Sequence, residues 1–463
     1  MSTQGRTRRR IVRTALAAGA GGVALLLVLT MCGGDDGSSA ADASDRPSPR
    51  PSPASAPRLT VPAAYAPAQR WEVPDASPEQ AYARASGHLA HLERVPQRRF
   101  RVRTLDVSTG RPGWSGQPWQ PPTAIDSSAS DARGATDTPG QAGAGRFPRL
   151  LSVARDGREF FVVWSFGRTS GDHLTSDTFV VLDIYDAATG ARRRVELPWS
   201  GAPTVSGNGP GILVTDGRTR NAVVDPLTGE TARVPENALA HPKGCTGCRR
   251  LTEVRGVTDQ GLLLSGESGF WVRGGWYSKN VAPSGADPLS GTPTSVAPGL
   301  LLAKWKPAKK RKDARTHEIW AVHDTVTGKP LAQTRCHKPA IEPGEFPRAV
   351  VSPKGGYLVS GHLAFDLERR KAHCFEESDG SRQLLLATVG DTGTAYGATH
   401  ARSAADVLAG GGIPVQLEVT RPVPQPLAPQ VRLPLADVAG VGVFSWTDAK
   451  DRLHLVGHPR VLP

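Results

Sequence analysis

Five cysteines and a crowd of lysines are the residues of this 463-residue chain whose types and spacing could do chemistry. Cys245 and Cys248 stand three positions apart in "HPKGCTGCRR", Cys336 and Cys374 are separated by 38 positions, and Cys32 lies alone near the start. Thiols so placed can close disulfides, hold a thiophilic metal or exchange electrons. A zinc centre would draw on His241, Cys245 and Cys248, with His337 as a fourth donor. Redox work by "CTGC" would need a helix N-terminus to depress a thiol pKa, and no helix is predicted there. In an oxidising compartment the even set Cys245, Cys248, Cys336 and Cys374 should pair. Three pairings are possible. The expected one is a tight Cys245–Cys248 loop plus Cys336–Cys374, because those positions fall in one neighbourhood of the chain.

The lysines are equally uneven. Five of the twelve fall between 304 and 312 (Lys304, Lys306, Lys309, Lys310 and Lys312), joined by Arg311 and Arg315 and opposed within the run only by Asp313. A charge run is ordinarily a solvated loop. Its functional alternative is an electrostatic anchor for an anionic polymer or for membrane headgroups.

The N-terminus decides the compartment in which these groups would work. "MSTQGRTRRRIVR" carries five arginines and no acid, and Ala15 to Met31 is free of charge, giving the basic and apolar regions of an export signal. "TRRRIVR" partly resembles the twin-arginine signal, with Arg8 and Arg9 as the pair and Ile11 and Val12 in place of the usual residues. "LTMC" resembles a bacterial lipobox with Met31 at the position before the lipidated Cys32. The alternative is an uncleaved membrane anchor, since seventeen apolar residues reach the short limit of a spanning helix. Either way the remainder is expected outside the cytoplasm, tethered to the membrane. Removing residues 1–31 would lower the formal net charge from +13 to +8. Export argues against nucleic acid as a partner, and no aromatic-interleaved basic motif suggests one.

Residues 1–32 are thus read as leader or anchor, and 33–70, rich in Gly, Ser, Ala and Pro, as a disordered spacer. Residues 71–97 are read as a helical flank, because Ser77, Pro78 and Gln80 form a capping-box pattern before "AYARASGHLAHLERV". Residues 98–459 lack helical periodicity. Short runs such as "REFFVVWS", "GLLLSGE", "GLLLAKW" and "GYLVSGH" lie between Gly, Asp, Asn or Pro and predict an all-β repeat architecture, with a disordered insertion at about 115–147.

One phrase sets the period. Asp-x-x-Thr-Gly stands at Asp106–Gly110, Asp186–Gly190, Asp225–Gly229 and Asp324–Gly328, with a degenerate copy at Asp366. Steps of 39 and 42 between its aspartates match propeller blades of four strands. In this reading Asp caps a turn between the third and fourth strands and Gly supplies a positive φ. "TLDVSTGRPGW" resembles the docking repeat of pyrroloquinoline-quinone-type propellers, with Asp106, Thr109, Gly110 and Trp114 at that family's offsets. "SPKGGYLVSG" at 352–361 resembles the blade-opening phrase of WD-like propellers. The resemblance covers nearly all of 98–459 and implies a fold, not an activity.

The expected ring has seven blades, with six or eight open. Strands of "RFRVRTLDVSTGRPGW" and "VGVFSWTDAKDRLHLVGHP" would together close one of them. With strands lettered a to d from the inside outward, the Asp-x-x-Thr-Gly turns lie on one face. "HPKGCTGCRR", "KWKPAKKRKDAR" and "RCHKPAIEPGEFP" all lie on the other. A quinone enzyme would also need adjacent cysteines, and the chain has no Cys-Cys dipeptide, no G-x-S-x-G and no H-E-x-x-H. The expectation is a monomeric binding, scaffold or sensor module without a cofactor, its partner a protein or an anionic envelope polymer. An extracytoplasmic quinone- or metal-dependent enzyme is the alternative.

Overall fold

A computed structural model describes residues 59–122, 148–168, 178–217, 219–310, 312–339, 346–376 and 383–461. The leader with Cys32, residues 33–58 of the spacer, most of the 115–147 insertion and Arg311 lie outside the described residues.

The chain folds into eight antiparallel sheets, each a blade of a β-propeller. Blades one to seven follow in chain order, with strands a to d of each adjacent in sequence and in space. Blade four has three strands, and an isolated bridge between Trp271 and Tyr277 stands where its fourth would be.

Blade two shows why such strands read as continuous apolar runs. In its b strand (Arg158–Arg168), Phe160 and Val162 pack into the core shared with blade three. Phe161 and Val163 pack into the core shared with blade one. Successive side chains point to opposite faces of a strand, and here each face is covered by a neighbouring blade. Eight hydrophobic clusters result, one in each gap between neighbouring blades. An open row of eight sheets would have seven such gaps, so the ring is closed.

Closure is made by Trp71–Ala76, which pairs antiparallel with Leu453–Pro459 as strand d of blade eight, Trp71 opposite Gly457. The ring therefore has eight blades, one of the counts left open beside the expected seven. "RFRVRTLD" and "PGWS" are strands c and d of a complete blade one. Its strands a and b are Gln80–Ala83 and His88–Val95, inside the segment expected to be helical. The capping-box pattern fails because the Ser77 hydroxyl accepts from the Glu79 amide at 3.2 Å, two residues on, and so closes a local turn. Gly87, at φ +71°, then turns the hairpin. The end of the expected spacer is folded: Tyr65 is 2% exposed, packs edge-on to Phe444, and donates to the Asp437 carboxylate at 2.9 Å. Residues 59–65 belong to the core between blades seven and eight.

Candidate functional site

The repeated phrase is a turn device in all four copies. Asp106 accepts through one carboxylate oxygen from the Thr109 amide and hydroxyl, and its carbonyl accepts from the Gly110 amide at 2.7 Å. Asp186 and Asp324 repeat the arrangement with Thr189 and Thr327, and Asp225 accepts from the amides of Leu227 and Thr228. Gly110, Gly190, Gly229 and Gly328 take φ between +72° and +77°. In the degenerate copy Arg370 occupies that conformation, at +55°.

Each turn is gripped by a side chain from the preceding blade. Trp71 donates to the Val107 carbonyl at 2.7 Å, Trp114 to Ala187 at 2.8 Å, and Trp276 to Thr325 at 3.0 Å. All three carbonyls belong to the residue after the turn aspartate. At the fourth turn Arg193 replaces the indole, donating to the Pro226 carbonyl at 3.2 Å. A Cβ on Gly110, Gly190 or Gly328 would meet the docked tryptophan side chain at 2.3–2.7 Å, so glycine here serves both the backbone and the close approach. These contacts are architectural, and they hold one face of the ring.

Antiparallel connection places a–b and c–d turns at one end of each blade and b–c and d–a loops at the other. The three unusual stretches therefore share the b–c/d–a face. The lysine run is the b–c loop of blade five, between Leu300–Trp305 and His317–Asp324. Its root is held on both sides. The Asp287 amide donates to the Lys306 carbonyl at 2.8 Å and the Ala308 amide to Gly285 at 2.9 Å. Lys338 donates to the carbonyls of Ala314 and Arg315, and Arg335 pairs with Asp313 at 2.5 Å. Lys306, Lys309, Lys310 and Lys312 are exposed and have no ion-pair partner among the described residues.

Lys304 is different. It lies on strand b, 3.8 Å from Glu318 and 4.6 Å from the centre of the Phe346 ring, so its charge is committed to packing between blades five and six. It drops out of the cationic loop as a contact residue.

The structure joins the lysine loop to the "RCHK" stretch through Lys338 and Arg335, while "HPKGCTGCRR" packs against blade four. Cys245 and Cys248 are disulfide-bonded there, with Cys245 Sγ 3.3 Å from the Tyr277 hydroxyl. His241 is turned to the Thr252 hydroxyl at 3.3 Å and the face of Trp271. Cys336 and Cys374 form the second disulfide, tying the outermost strands of blades five and six. The His337 ring lies against that of His317, tilted by 40° with ring centres 3.9 Å apart. Burial, then the neighbouring His337, holds the His317 imidazole below its ordinary pKa.

A residue that sequence reading passed over lies on the ring's inner wall. Arg84, at the end of the innermost strand of blade one, donates to the carbonyl of Val351 on the innermost strand of blade six. Those blades are not neighbours, so Arg84 reaches across the central channel. Burial lowers its pKa, while Tyr82, Asp391, Glu159 and Asp437 act to raise it.

No family model matches the chain, and no curated protein matches it. Among solved structures it is similar to a chain in the "Complex of KlAtg21 with coiled-coil of AgAtg16", at 10% identity and a TM-score of 0.34, covering 82% of this chain and 91% of that one. The fold itself defines the class: a closed eight-bladed β-propeller carrying a cationic loop on its b–c/d–a face.

Proposed function

We propose that the chain is an extracytoplasmic, membrane-tethered propeller that binds an anionic polymer of the cell envelope, acting as a binding or scaffold module rather than an enzyme. The carrying observation is the blade-five loop, where Lys306, Lys309, Lys310 and Lys312 are exposed on a root fastened by backbone and side-chain hydrogen bonds. A fixed root keeps like charges close together, and closely spaced cations attract a polyanion more strongly than scattered ones. Asp313, the acid within the run, faces Arg335. The export-type N-terminus and the two disulfides support the compartment. The resemblance of "TLDVSTGRPGW" to quinone-type propellers is carried by turn and docking residues, so it supports architecture and leaves the binding chemistry to the loop.

The test is a salt series against poly(glycerol phosphate), comparing the parent with a variant in which Lys306, Lys309, Lys310 and Lys312 are all replaced by glutamine. The parent should bind at low ionic strength and weaken as the Debye length shortens to about 8–10 Å. The variant should fold normally and bind weakly, with a flattened salt dependence. Equal binding by the two proteins at low salt would refute the assignment.

A further inference from the structure

We propose that Cys336, Cys374 and His362 form a redox-gated site for a thiophilic divalent ion of zinc's kind, closed by the disulfide and opened by its reduction. Three elements build the site at the rim between blades five and six. Cys336 is the penultimate residue of strand d of blade five, and Cys374 ends strand d of blade six. His362 sits beside Gly361 in the tight b–c turn of blade six, between Tyr357–Ser360 and Leu363–Asp366. One donor atom from each of the three lies within 4.8 Å of the others, and among the described residues this is the grouping able to hold a metal. It replaces the His241, Cys245 and Cys248 set as the metal candidate of this chain.

A second observation points to a missing ligand. His362 Nε2 and Glu376 Oε2 are both buried and find no hydrogen-bond partner. An unanswered buried polar atom costs the desolvation of its group, and a bound ion would relieve that cost at His362. The other oxygen of Glu376 is placed by the His337 amide at 3.3 Å, two residues from the end of strand d of blade six. Trp320 lies beside the group, its ring T-shaped to both His362 and Phe346.

The chemistry balances with a dithiol as reductant. Its two thiols give up two electrons and two protons and become a disulfide; the Cys336–Cys374 bond breaks and two thiols form. A zinc ion then displaces both thiol protons to water and takes two thiolates and a neutral imidazole nitrogen. Tetrahedral bonds of about 2.3 Å to sulfur set the sulfurs about 3.8 Å apart. The paired thiolates cancel the ion's charge, and the fourth position is left to water. Three protein ligands and one open position are the arrangement of a reactive zinc site rather than a closed structural one.

The experiment uses the full chain with Cys32, Cys245 and Cys248 replaced by alanine, so that a single thiol pair remains. Oxidised protein should retain no zinc after desalting. Protein reduced with dithiothreitol should retain one equivalent, and cobalt in its place should show thiolate charge-transfer bands. His362→Gln should abolish retention while leaving the disulfide and the β-rich circular dichroism intact. Folded, reduced protein that takes up no zinc would overturn the proposal, as would uptake unchanged by His362→Gln or by oxidation. Where reduction unfolds the chain, a variant carrying Cys336→His and Cys374→His offers three imidazoles without any reductant. Its failure to bind zinc while folded would also overturn the site.

Discussion

The two disulfides make a matched pair for testing what holds the ring. Cys245–Cys248 closes a separation of three residues within one loop, and Cys336–Cys374 closes 38 and joins two blades. Each pair has one member with no exposed surface, Cys248 and Cys336, and one partly exposed member, so replacing either pair by alanine removes comparable packing. Loop length is then the main difference. Chain-entropy reasoning assigns about 4 kcal/mol to the long bridge and about 1.5 kcal/mol to the short one. Urea denaturation followed by tryptophan fluorescence, without reductant, should show the Cys336→Ala/Cys374→Ala protein less stable than Cys245→Ala/Cys248→Ala by roughly 2 kcal/mol. Equal losses, or a larger loss for the tight pair, would refute the argument that the long bridge works by restraining the unfolded chain.

Two further outcomes follow from the turns and the buried histidines. Gly110 and Gly157 both have positive φ, but only at Gly110 would a Cβ strike a tryptophan, meeting the Trp71 Cβ at 2.3 Å and its indole at 2.5 Å. Gly157→Ala should cost about 1–2 kcal/mol for the left-handed backbone alone, and Gly110→Ala about 1–3 kcal/mol more, read from thermal midpoints; equal shifts would contradict the docking account. Burial lowers the His323 pKa to about 4, while its Nδ1–H donates to the Gly328 carbonyl at 2.8 Å. An unfolded histidine titrates near 6.5, so the unfolded chain takes the proton first. The contribution is complete above about pH 6.5 and is lost on acidification towards about pH 4, by up to about 3 kcal/mol. His323→Asn, which keeps a donor and removes the titration, should flatten that part of the stability profile; an unchanged slope would exclude His323 as the cause.

The turns were legible because their chemistry is local: Asp, Thr and Gly within five residues specify the hydrogen bonds and the positive φ that the structure contains. The inner strands were legible as strands because both faces are buried, which leaves runs such as "REFFVVWS" apolar throughout. The disulfide pairing was legible from the even set of Cys245, Cys248, Cys336 and Cys374 and their neighbourhood in the chain. Blade one was missed because Ser77, Pro78 and Gln80 imitate a helix start, and only the Ser86–Gly87 pair marked the hairpin inside the imitation. That one error hid two half-blades and set the count at seven. Trp71 and Trp276 could not be matched to their turns from the repeat alone, since each docks onto the blade that follows it. A tryptophan near a blade end without its own Asp-x-x-Thr-Gly phrase was the available signal. Arg193 carried none, being one of three consecutive arginines. The Cys336, His362 and Cys374 grouping depends on a turn of blade six meeting the edge of blade five, a contact that spacing along the chain does not encode.

The proposed binding face can be read most directly from lysine reactivity. Lys306, Lys309, Lys310 and Lys312 stand on the b–c loop, whereas Lys329, Lys354 and Lys371 are exposed at the a–b/c–d end of their blades. Acetylation of the intact protein with and without poly(glycerol phosphate), resolved by mass spectrometry, compares the two faces within one sample. The account predicts strong protection of the first four lysines at low salt, lost at high salt, and unchanged labelling of the other three. Equal protection on both faces, or protection of Lys329, Lys354 and Lys371 alone, would contradict it.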